Sequence, residues 1–367
     1  MTATLTPRHP QPPRVPGRPP LRIGPRFSGV WRPRSMLVAA LGSVAVVLAM
    51  AINIARGEYP ISVLDVLGVL FGGGADAQQF IVLELRLPRS LTGALVGAAL
   101  AISGAITQSI ARNPLASPDI LGITAGAGAA AVFLIVLGGS HGVLSGILAV
   151  LGVPVAALLG GLLTAVAVYV LAYRKGIEGY RLVLIGVGIG AVLTSITSWL
   201  MIVAEITEAT RATVWLTGSL NARGWEHVQP VGLALLVLVP SALLLAFVLG
   251  GLQFGDDTAR GLGIRVDRSR TALLLVAVGL ASVATASAGP IAFVALVAPQ
   301  IALRLAGSSR PPLLASATLG AALIVSADVV ARTAFGATEL PVGIITAILG
   351  APYLLYLLAR CNREVRI

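Results

Sequence analysis

The chain carries few side chains that could catalyse a reaction or hold a metal ion. Its three histidines, His9, His141 and His227, lie far apart, and Cys361 has no second cysteine to pair with. Zinc and related metals need several such ligands at short spacings. The sequence shows no catalytic combination of Ser, His and acidic residues and no G-x-x-x-x-G-K-[ST] phosphate loop. We therefore expect no enzyme activity, no resident metal and no cofactor.

Two arginines, Arg86 and Arg89, stand three apart just before a long uncharged stretch. About 20 small and apolar residues follow them, which is the length that crosses the core of a bilayer. The stretch then breaks in a polar turn and continues into a second apolar segment. The turn residues are Arg112, Asn113, Pro114 and Pro118. Because lipid cannot satisfy irregular backbone, the turn must lie at a membrane face, and the chain is predicted to be an integral membrane protein.

Composition supports this prediction and gives the N-terminal segment a separate character. Hydrophobic residues make up 56% of the chain and charged residues 11%, whereas a soluble domain has about 25% charged residues. The net charge of +11 is concentrated in residues 1–35, which hold seven arginines, nine prolines and no acid. We expect this segment to be a disordered, basic, cytoplasmic tail that anchors the topology, with a specific lipid or partner contact as the alternative. A nucleic-acid partner is not expected.

The apolar stretches predict an all-α, polytopic membrane protein with ten spans. Nine stretches cover residues 36–55, 90–110, 118–138, 143–172, 182–204, 229–252, 271–303, 313–332 and 341–359. As one helix, 271–303 would extend roughly 50 Å, against a bilayer core of about 30 Å. Gly289 and Pro290 should break it into two helices. The membrane domain is thus 36–360, followed by a short cytoplasmic tail at 361–367.

The distribution of basic residues supports ten spans. With ten spans and a cytoplasmic N-terminus, the cytoplasmic side receives thirteen basic residues beyond the tail and the other side receives six. With nine spans, the C-terminal arginines would face outward, against the positive-inside bias. Both termini are therefore predicted to be cytoplasmic.

Three loops are predicted to carry short helices. Residues 57–80 and 205–225 have the pattern of outer-face helices, which either pack on the bundle or form a gate or docking surface. In the inner loop 253–270, Asp256 or Asp257 could cap a helix, and Gly263 suits its left-handed end. Asp267 could cap the next span in the same way. A bare connector needs only a few residues, so this loop is either a docking helix or an ordered turn.

Five stretches, taken in order, resemble the iron-siderophore/vitamin B12 family of ABC importer permeases. They read RLPR with GAALAISGAITQ, RNPLASPDILGITAGAGA, GDDTARGLGIRVDRSR, AGPIAFVALVAPQIALRLAG, and ADVVAR with ELPVGIITAILGAPYLLYLL. The resemblance covers about residues 36–360, and the segment WLTGSLN is most similar to the ferric enterobactin permease branch. It implies a multi-pass subunit of the bacterial cytoplasmic membrane that pairs with a second permease, more a paralogue than a copy. Two ATPase subunits inside and a siderophore-binding protein outside complete the implied assembly.

The resemblance also implies roles for particular residues. The ATPase-coupling helix would comprise Gly255, Asp256, Asp257, Ala259, Leu262 and Gly263. The outward arginines that meet glutamates of the binding protein would be Arg86, Arg89 and Arg332. For the first two the alternative is anchoring at the lipid interface, and for Arg332 it is a pair with Asp328, four residues earlier.

The resemblance also implies a path for the substrate. We expect the fifth span and the outer helix near 207–222 to line the path. Mildly polar residues of the span would form part of its wall, and they are Thr194, Ser195, Thr197 and Ser198. Gln300 stands where many family members have histidine, so it is assigned no role. The expected function is movement of an iron-siderophore complex, driven by the separate ATPases.

Two alternatives to this function remain. One is a cobalamin or haem importer of the same family. The other is an ion-coupled carrier, which would keep ionisable residues at mid-bilayer. The sequence offers Asp328 alone as an acid well inside a span, with Arg332 near enough to pair with it.

Overall fold

A computed structural model describes residues 20–23, 27–30, 32–57, 59–140, 147–173, 179–334 and 339–364. Much of the predicted N-terminal tail, the centre of the inner loop with Arg174 and Lys175, His141 and the last three residues lie outside these ranges. The α-helices are α1 Pro33–Ala55, α2 Val63–Leu70, α3 Asp76–Gln79, α4 Leu87–Ala111, α5 Ile123–Ser140, α6 Ile147–Ala172, α7 Gly179–Val203, α8 Ile206–Leu216, α9 Trp225–Leu252, α10 Asp256–Gly261, α11 Val266–Ala288, α12 Val294–Ala306, α13 Leu313–Thr333 and α14 Val342–Glu364. A π-helical segment, Phe80–Arg86, joins α3 to α4.

Eight helices in the described part of the chain are long and apolar enough to cross a bilayer. They are Pro33–Ala55, Asp76–Ala111, Gly152–Ala172, Gly179–Val203, Trp225–Leu252, Val266–Ala288, Leu313–Thr333 and Val342–Ala359. Two shorter apolar helices, Ile123–Gly138 and Val294–Ala306, lie where the third and eighth spans are predicted. The predicted break inside 271–303 is confirmed, because α11 ends at Ala288 and Gly289 has a φ of +75°.

Helix α4 lies at the centre of the bundle, between α13, α11, α12 and α9. Small residues explain this position, because they let helix backbones approach closely. A side-chain carbon at Gly97 would collide with the carbonyl oxygen of Gly320 on α13. At Gly104 it would collide with the carbonyl oxygen of Ala295 on α12. The small-residue stretch of the sequence is therefore the packing core of the fold.

The bundle has two ends, which we name by their short helices. The α10 face carries α10, the first turn of α1 and the loop between α12 and α13. The α8 face carries α2, α3, the π-helical segment and α8. The predicted outer helix at 57–80 is thus divided into shorter pieces, and the one at 205–225 is α8.

Two short strands, β1 Pro20–Ile23 and β2 Phe27–Val30, pair antiparallel ahead of α1. They lie inside the segment 1–35 that is predicted to be disordered, and so does the start of α1 at Pro33. The prediction of disorder therefore fails at these residues. The alternating apolar residues Leu21, Ile23 and Phe27 have the period of strands, a signal that the proline content obscured.

Candidate functional site

A cavity of about 490 Å³ opens on the α8 face beside the π-helical segment. Its charged lining residues are Glu84, Arg86, Arg89, Arg223, Glu226, Arg332 and Glu339. All three predicted docking arginines therefore lie together at one opening. The cavity can attract a carboxylate through its arginines, and its three glutamates balance most of their charge.

Arg89 is held from two sides. Its Nη2 lies 2.9 Å from Oδ1 of Asp328, and its Nη1 lies 3.0 Å from Oε2 of Glu339. Asp328 also accepts a hydrogen bond of 2.9 Å from Nδ2 of Asn53 on α1. Asp328 is 1% exposed and Arg89 9% exposed, so this cluster ties α1, α4 and α13 together at the α8 face.

Arg86 closes the end of α1. Its Nη1 donates to the carbonyl oxygen of Ile54, and its Nη2 donates to that of Tyr59, both at 2.7 Å. The last carbonyls of a helix lack partners within the helix and carry partial negative charge, which a guanidinium satisfies. Arg86 is 7% exposed, so its guanidinium is committed to bonds within the chain.

Arg332, in the last turn of α13, also bonds to the end of α1. Its Nη1 donates to Oδ1 of Asn53 at 2.8 Å, and its Nε lies 3.6 Å from Oε1 of Glu339. The alternative given for Arg332, a pair with Asp328, is not among the ion pairs of the described residues, and Asp328 bonds to Arg89 and Asn53. The four-residue spacing on α13 suggested that pair, but Asp328 pairs with Arg89 on α4.

Four charged residues of the cavity were not found by sequence reasoning: Glu84, Arg223, Glu226 and Glu339. Arg223 Nη1 lies 2.9 Å from Nε2 of His227, and Nε of Arg223 donates to the carbonyl oxygen of Ser219 at 3.3 Å. Burial lowers the pKa of Arg223, and the charge of Glu226 partly offsets this effect. Glu339 stands inside the quoted ELPVG stretch, which is the signal that could have identified it.

The second candidate site is α10 and its supports on the α10 face. Asp256 Oδ1 lies 2.9 Å from Nη2 of Arg112 and 3.0 Å from Nη2 of Arg270. Arg112 also donates to the carbonyl oxygen of Leu252 at 2.7 Å. Burial alone would raise the pKa of Asp256, but the hydrogen bond and charge of Arg270, together with Arg112, lower it below its ordinary value. One carboxylate thus joins α10 to the ends of α4 and α11.

The expected capping roles of the aspartates are wrong. Gly255, with a φ of +100°, is the N-cap of α10, and its first-turn aspartates cap nothing. Asp256 is turned toward the two arginines, which offer stronger, charge-assisted bonds than a backbone amide. Arg265 occupies the N-cap of α11 and leaves Asp267 in the first turn. The left-handed conformation predicted for Gly263 is present, with a φ of +79°.

The surface of α10 is divided between a buried side and an open side. Ala259 is fully buried against the bundle, whereas Leu262 is 64% exposed. Asp257 is also exposed and pairs only with Arg260 on its own helix, at 3.2 Å. The open side of α10 thus carries one exposed leucine beside charged residues.

The predicted turn between α4 and α5 supports α10. Arg112 adopts a left-handed conformation with a φ of +50°, and Asn113 Oδ1 accepts a 2.9 Å hydrogen bond from the amide of Leu115. The amide of Leu121 donates to the carbonyl oxygen of Pro118 at 3.1 Å. Pro114 is exposed at the start of this turn. The left-handed backbone directs Arg112 toward Asp256.

The four hydroxyl residues predicted for the path lie together on α7. They are Thr194, Ser195, Thr197 and Ser198, and all but the half-buried Thr197 are exposed. Each hydroxyl donates to the carbonyl oxygen four residues earlier, at 2.8 to 3.0 Å. The helix thereby satisfies its own hydroxyl groups and presents a surface of low polarity.

Gln300 takes part in a buried pair that sequence reasoning missed. Its Nε2 donates to Oε1 of Gln108 at 2.7 Å, and Gln108 donates to the carbonyl oxygen of Leu296 at 3.1 Å. The pair therefore ties α12 to α4 through a satisfied hydrogen-bond chain. Within the described ranges, no three His, Cys, Asp or Glu residues lie close enough together to hold a metal ion.

Comparison with known proteins gives the chain its relatives. Residues 45–360 match the FecCD transport family. The ferric enterobactin transport system permease protein FepG of Escherichia coli is 39% identical over 91% of this chain and 99% of its own length. The achromobactin transport system permease protein CbrC of Dickeya dadantii is 42% identical over 90% and 96%. A solved chain described as an inward-facing metal-chelate type ABC transporter is 27% identical with a TM-score of 0.76, covering 89% of this chain and 99% of its own. The chain belongs to the FecCD transport family, as its five sequence stretches predicted.

Proposed function

We propose that this chain is a permease subunit of an ATP-binding-cassette importer that moves an iron-siderophore complex across the bacterial cytoplasmic membrane. The observation that carries the proposal is the family match over residues 45–360. Relatives named for enterobactin and achromobactin transport match nine tenths of the chain. The iron chelate is the substrate. The chain forms part of its path and transmits the movement of the ATPase, and it catalyses no reaction.

The topology of the proposal has ten spans. The eight long apolar helices and the two shorter ones, α5 and α12, alternate in direction between the two faces. The α10 face carries the excess of arginines, so the positive-inside bias makes it the cytoplasmic face. Both termini then lie in the cytoplasm, and the α8 face looks outward.

The α10 helix is the proposed seat of an ATPase subunit. Its exposed side includes Asp257 and Leu262, and its buried side is anchored through Ala259. Asp256 connects it to the ends of α4 and α11 through Arg112 and Arg270. A movement of the ATPase would therefore reach two membrane-spanning helices directly. Positive-φ glycines at 255 and 263 bound the helix and set its angle.

The cavity on the α8 face is the proposed contact for a siderophore-binding protein. Arg86, Arg89 and Arg332 line it, so a carboxylate from the binding protein would reach them only by entering the cavity. Their existing bonds hold the guanidinium groups in place before contact. Because these groups are already bonded within the chain, they would orient the binding protein more than they hold it.

A second permease subunit, more a paralogue than a copy, is proposed to complete the path along α7. Only 11% of the apolar part of α7 is buried within this chain. Its exposed Thr194, Ser195 and Ser198 add mild polarity without charge. A large, oxygen-wrapped iron chelate suits such a wide path of low charge. The open face of α7 is thus available to both the partner subunit and the substrate.

The proposed substrate class is tested by uptake in membranes that contain the complete importer. A ferric catecholate, a ferric hydroxamate, haem and cobalamin are supplied separately, each with the cognate binding protein. We expect uptake of a ferric siderophore and none of the other two compounds. Uptake of cobalamin or haem alone would replace the siderophore by the other substrates of the family while retaining the permease role.

A further inference from the structure

A second cavity, larger than the one on the α8 face, lies on the α10 face. It is bounded by the start of α1, the end of α9 and the start of α13. It encloses about 840 Å³. Its walls are mostly apolar. Met36 on α1 is 53% exposed, Phe247 on α9 80% and Leu314 on α13 52%. These side chains form a groove in the region where helices enter the membrane.

Two arginines, Arg32 and Arg310, are among the residues that line this cavity. None of the described lining residues is acidic. One guanidinium nitrogen of Arg310, Nη1, is fixed by the carbonyl oxygen of Ala246 at 2.5 Å. Burial lowers the pKa of Arg310, and repulsion from Arg32 lowers it further. Two cations thus lie close together in a partly buried place with no carboxylate among the lining residues.

The combination indicates the chemistry of the occupant. Guanidinium groups pair with phosphate oxygens through two parallel hydrogen bonds. An apolar groove beside them suits hydrocarbon chains. The arginine-rich segment 1–31 of the same chain is a poor occupant, because its positive charge would add to the repulsion. The remaining occupant with both an anionic head and apolar chains is a membrane lipid.

We propose that this cavity binds one anionic glycerophospholipid, with its phosphate between Arg32 and Arg310 and an acyl chain along α1 and α9. The proposal rests on the cytoplasmic orientation of the α10 face proposed above, where anionic lipids attract basic residues. Ile264, which follows α10, lines the same cavity. A bound lipid would therefore fill the space behind α10 and stabilise its position.

Binding of dioleoyl phosphatidylglycerol and of dioleoyl phosphatidylcholine to the purified full-length chain tests the proposal, with bound lipid counted by native mass spectrometry. We expect tighter binding of phosphatidylglycerol and a loss of about fivefold in its affinity for each arginine replaced. The variants are Arg32→Gln and Arg310→Gln. The matched control is Arg268→Gln, which removes one charge from an exposed position on the same face and should leave the preference unchanged.

Arg310→Gln also removes the bond to Ala246 and could impair folding, so Arg32→Glu provides an independent test. A glutamate there would pair with Arg310 and exclude the phosphate, and the preference for phosphatidylglycerol should disappear from a folded protein. An unchanged preference in Arg32→Glu, or equal losses in Arg268→Gln, would overturn the proposal. So would competition by inorganic phosphate at the affinity of the lipid, which would indicate a site for free anions. Each readout is lipid binding, so it is independent of whether the chain transports a siderophore.

Discussion

Arg89 and Asp328 form a two-point ion pair between α4 and α13, with Nη2 2.9 Å from Oδ1 and Nε 3.1 Å from Oδ2. They are separated by 239 positions in the sequence. Both are buried, so Arg89 neutralises a carboxylate that would otherwise lie in the protein without this counter-charge. Arg89, which the resemblance assigns to contact with the binding protein, is thus also a structural residue.

Replacing Arg89 by Met should destabilise the protein by about 3–5 kcal/mol, because Asp328 would be left buried without its counter-charge. Adding Asp328→Asn to that variant should recover a large part of the loss. The measurement is thermal unfolding of the purified protein in detergent. Additive losses in the double variant would show that the two residues do not interact energetically.

The Asp256 carboxylate should make stability depend on acid pH. Its pKa is lowered in the folded protein, so its contribution is present above about pH 4 and is lost as the pH falls through the lowered pKa. We expect the unfolding temperature of the wild type to fall more than that of Asp256→Asn between pH 5 and pH 3, by an amount worth about 0.5–1 kcal/mol. Asp257→Asn is the matched control, because Asp257 is fully exposed and, among the described residues, its ion pair is with Arg260 of its own helix. Identical pH profiles for wild type and Asp256→Asn would remove the assigned pairing.

Gly263→Asp should abolish ATP-driven uptake while the protein still inserts and folds. The backbone at Gly263 is left-handed, which aspartate tolerates better than most residues. The space around it is empty within the chain, so a new carboxylate would project from the end of α10. Gly68→Asp, on α2 of the opposite face and also in open space, is the control for the added charge. Normal uptake by the Gly263 variant would show that α10 does not couple to the ATPase.

Gly97→Ala should weaken the contact between α4 and α13. A methyl group there would collide with the carbonyl oxygen of Gly320, so we expect a loss of about 1–3 kcal/mol despite the better helix propensity of alanine. Gly232→Ala on α9 is the matched control, because its nearest neighbour is Leu95 at 3.9 Å. That variant should be neutral or slightly stabilised. Equal unfolding temperatures for the two variants would show that the helices can separate without cost.

Much of the fold was predictable because local signals determine it. The glycine-proline break after Ala288 and the helix at 256–261 both follow from residues a few positions apart. Apolar length identified the membrane-spanning helices in the same way. The short strands ahead of α1 were missed because proline and arginine content outweighed a weak alternation.

The site was predictable only as a set of residues. Arg86, Arg89 and Arg332 line one cavity, but their bonding partners come from distant positions in the chain. No spacing rule connects Arg89 with Asp328 or Gln108 with Gln300. Within one helix, the spacing of Asp328 and Arg332 suggested a pair that tertiary packing does not form.

Transport driven by ATP, as opposed to an ion gradient, tests the central claim most directly. Proteoliposomes would contain this chain, the second permease and the ATPase, with the binding protein and a radiolabelled ferric siderophore supplied at the binding-protein side. We expect import that requires ATP and stops when the P-loop lysine of the ATPase is replaced by alanine. Import that continues with this inactive ATPase under a proton or sodium gradient would contradict the account.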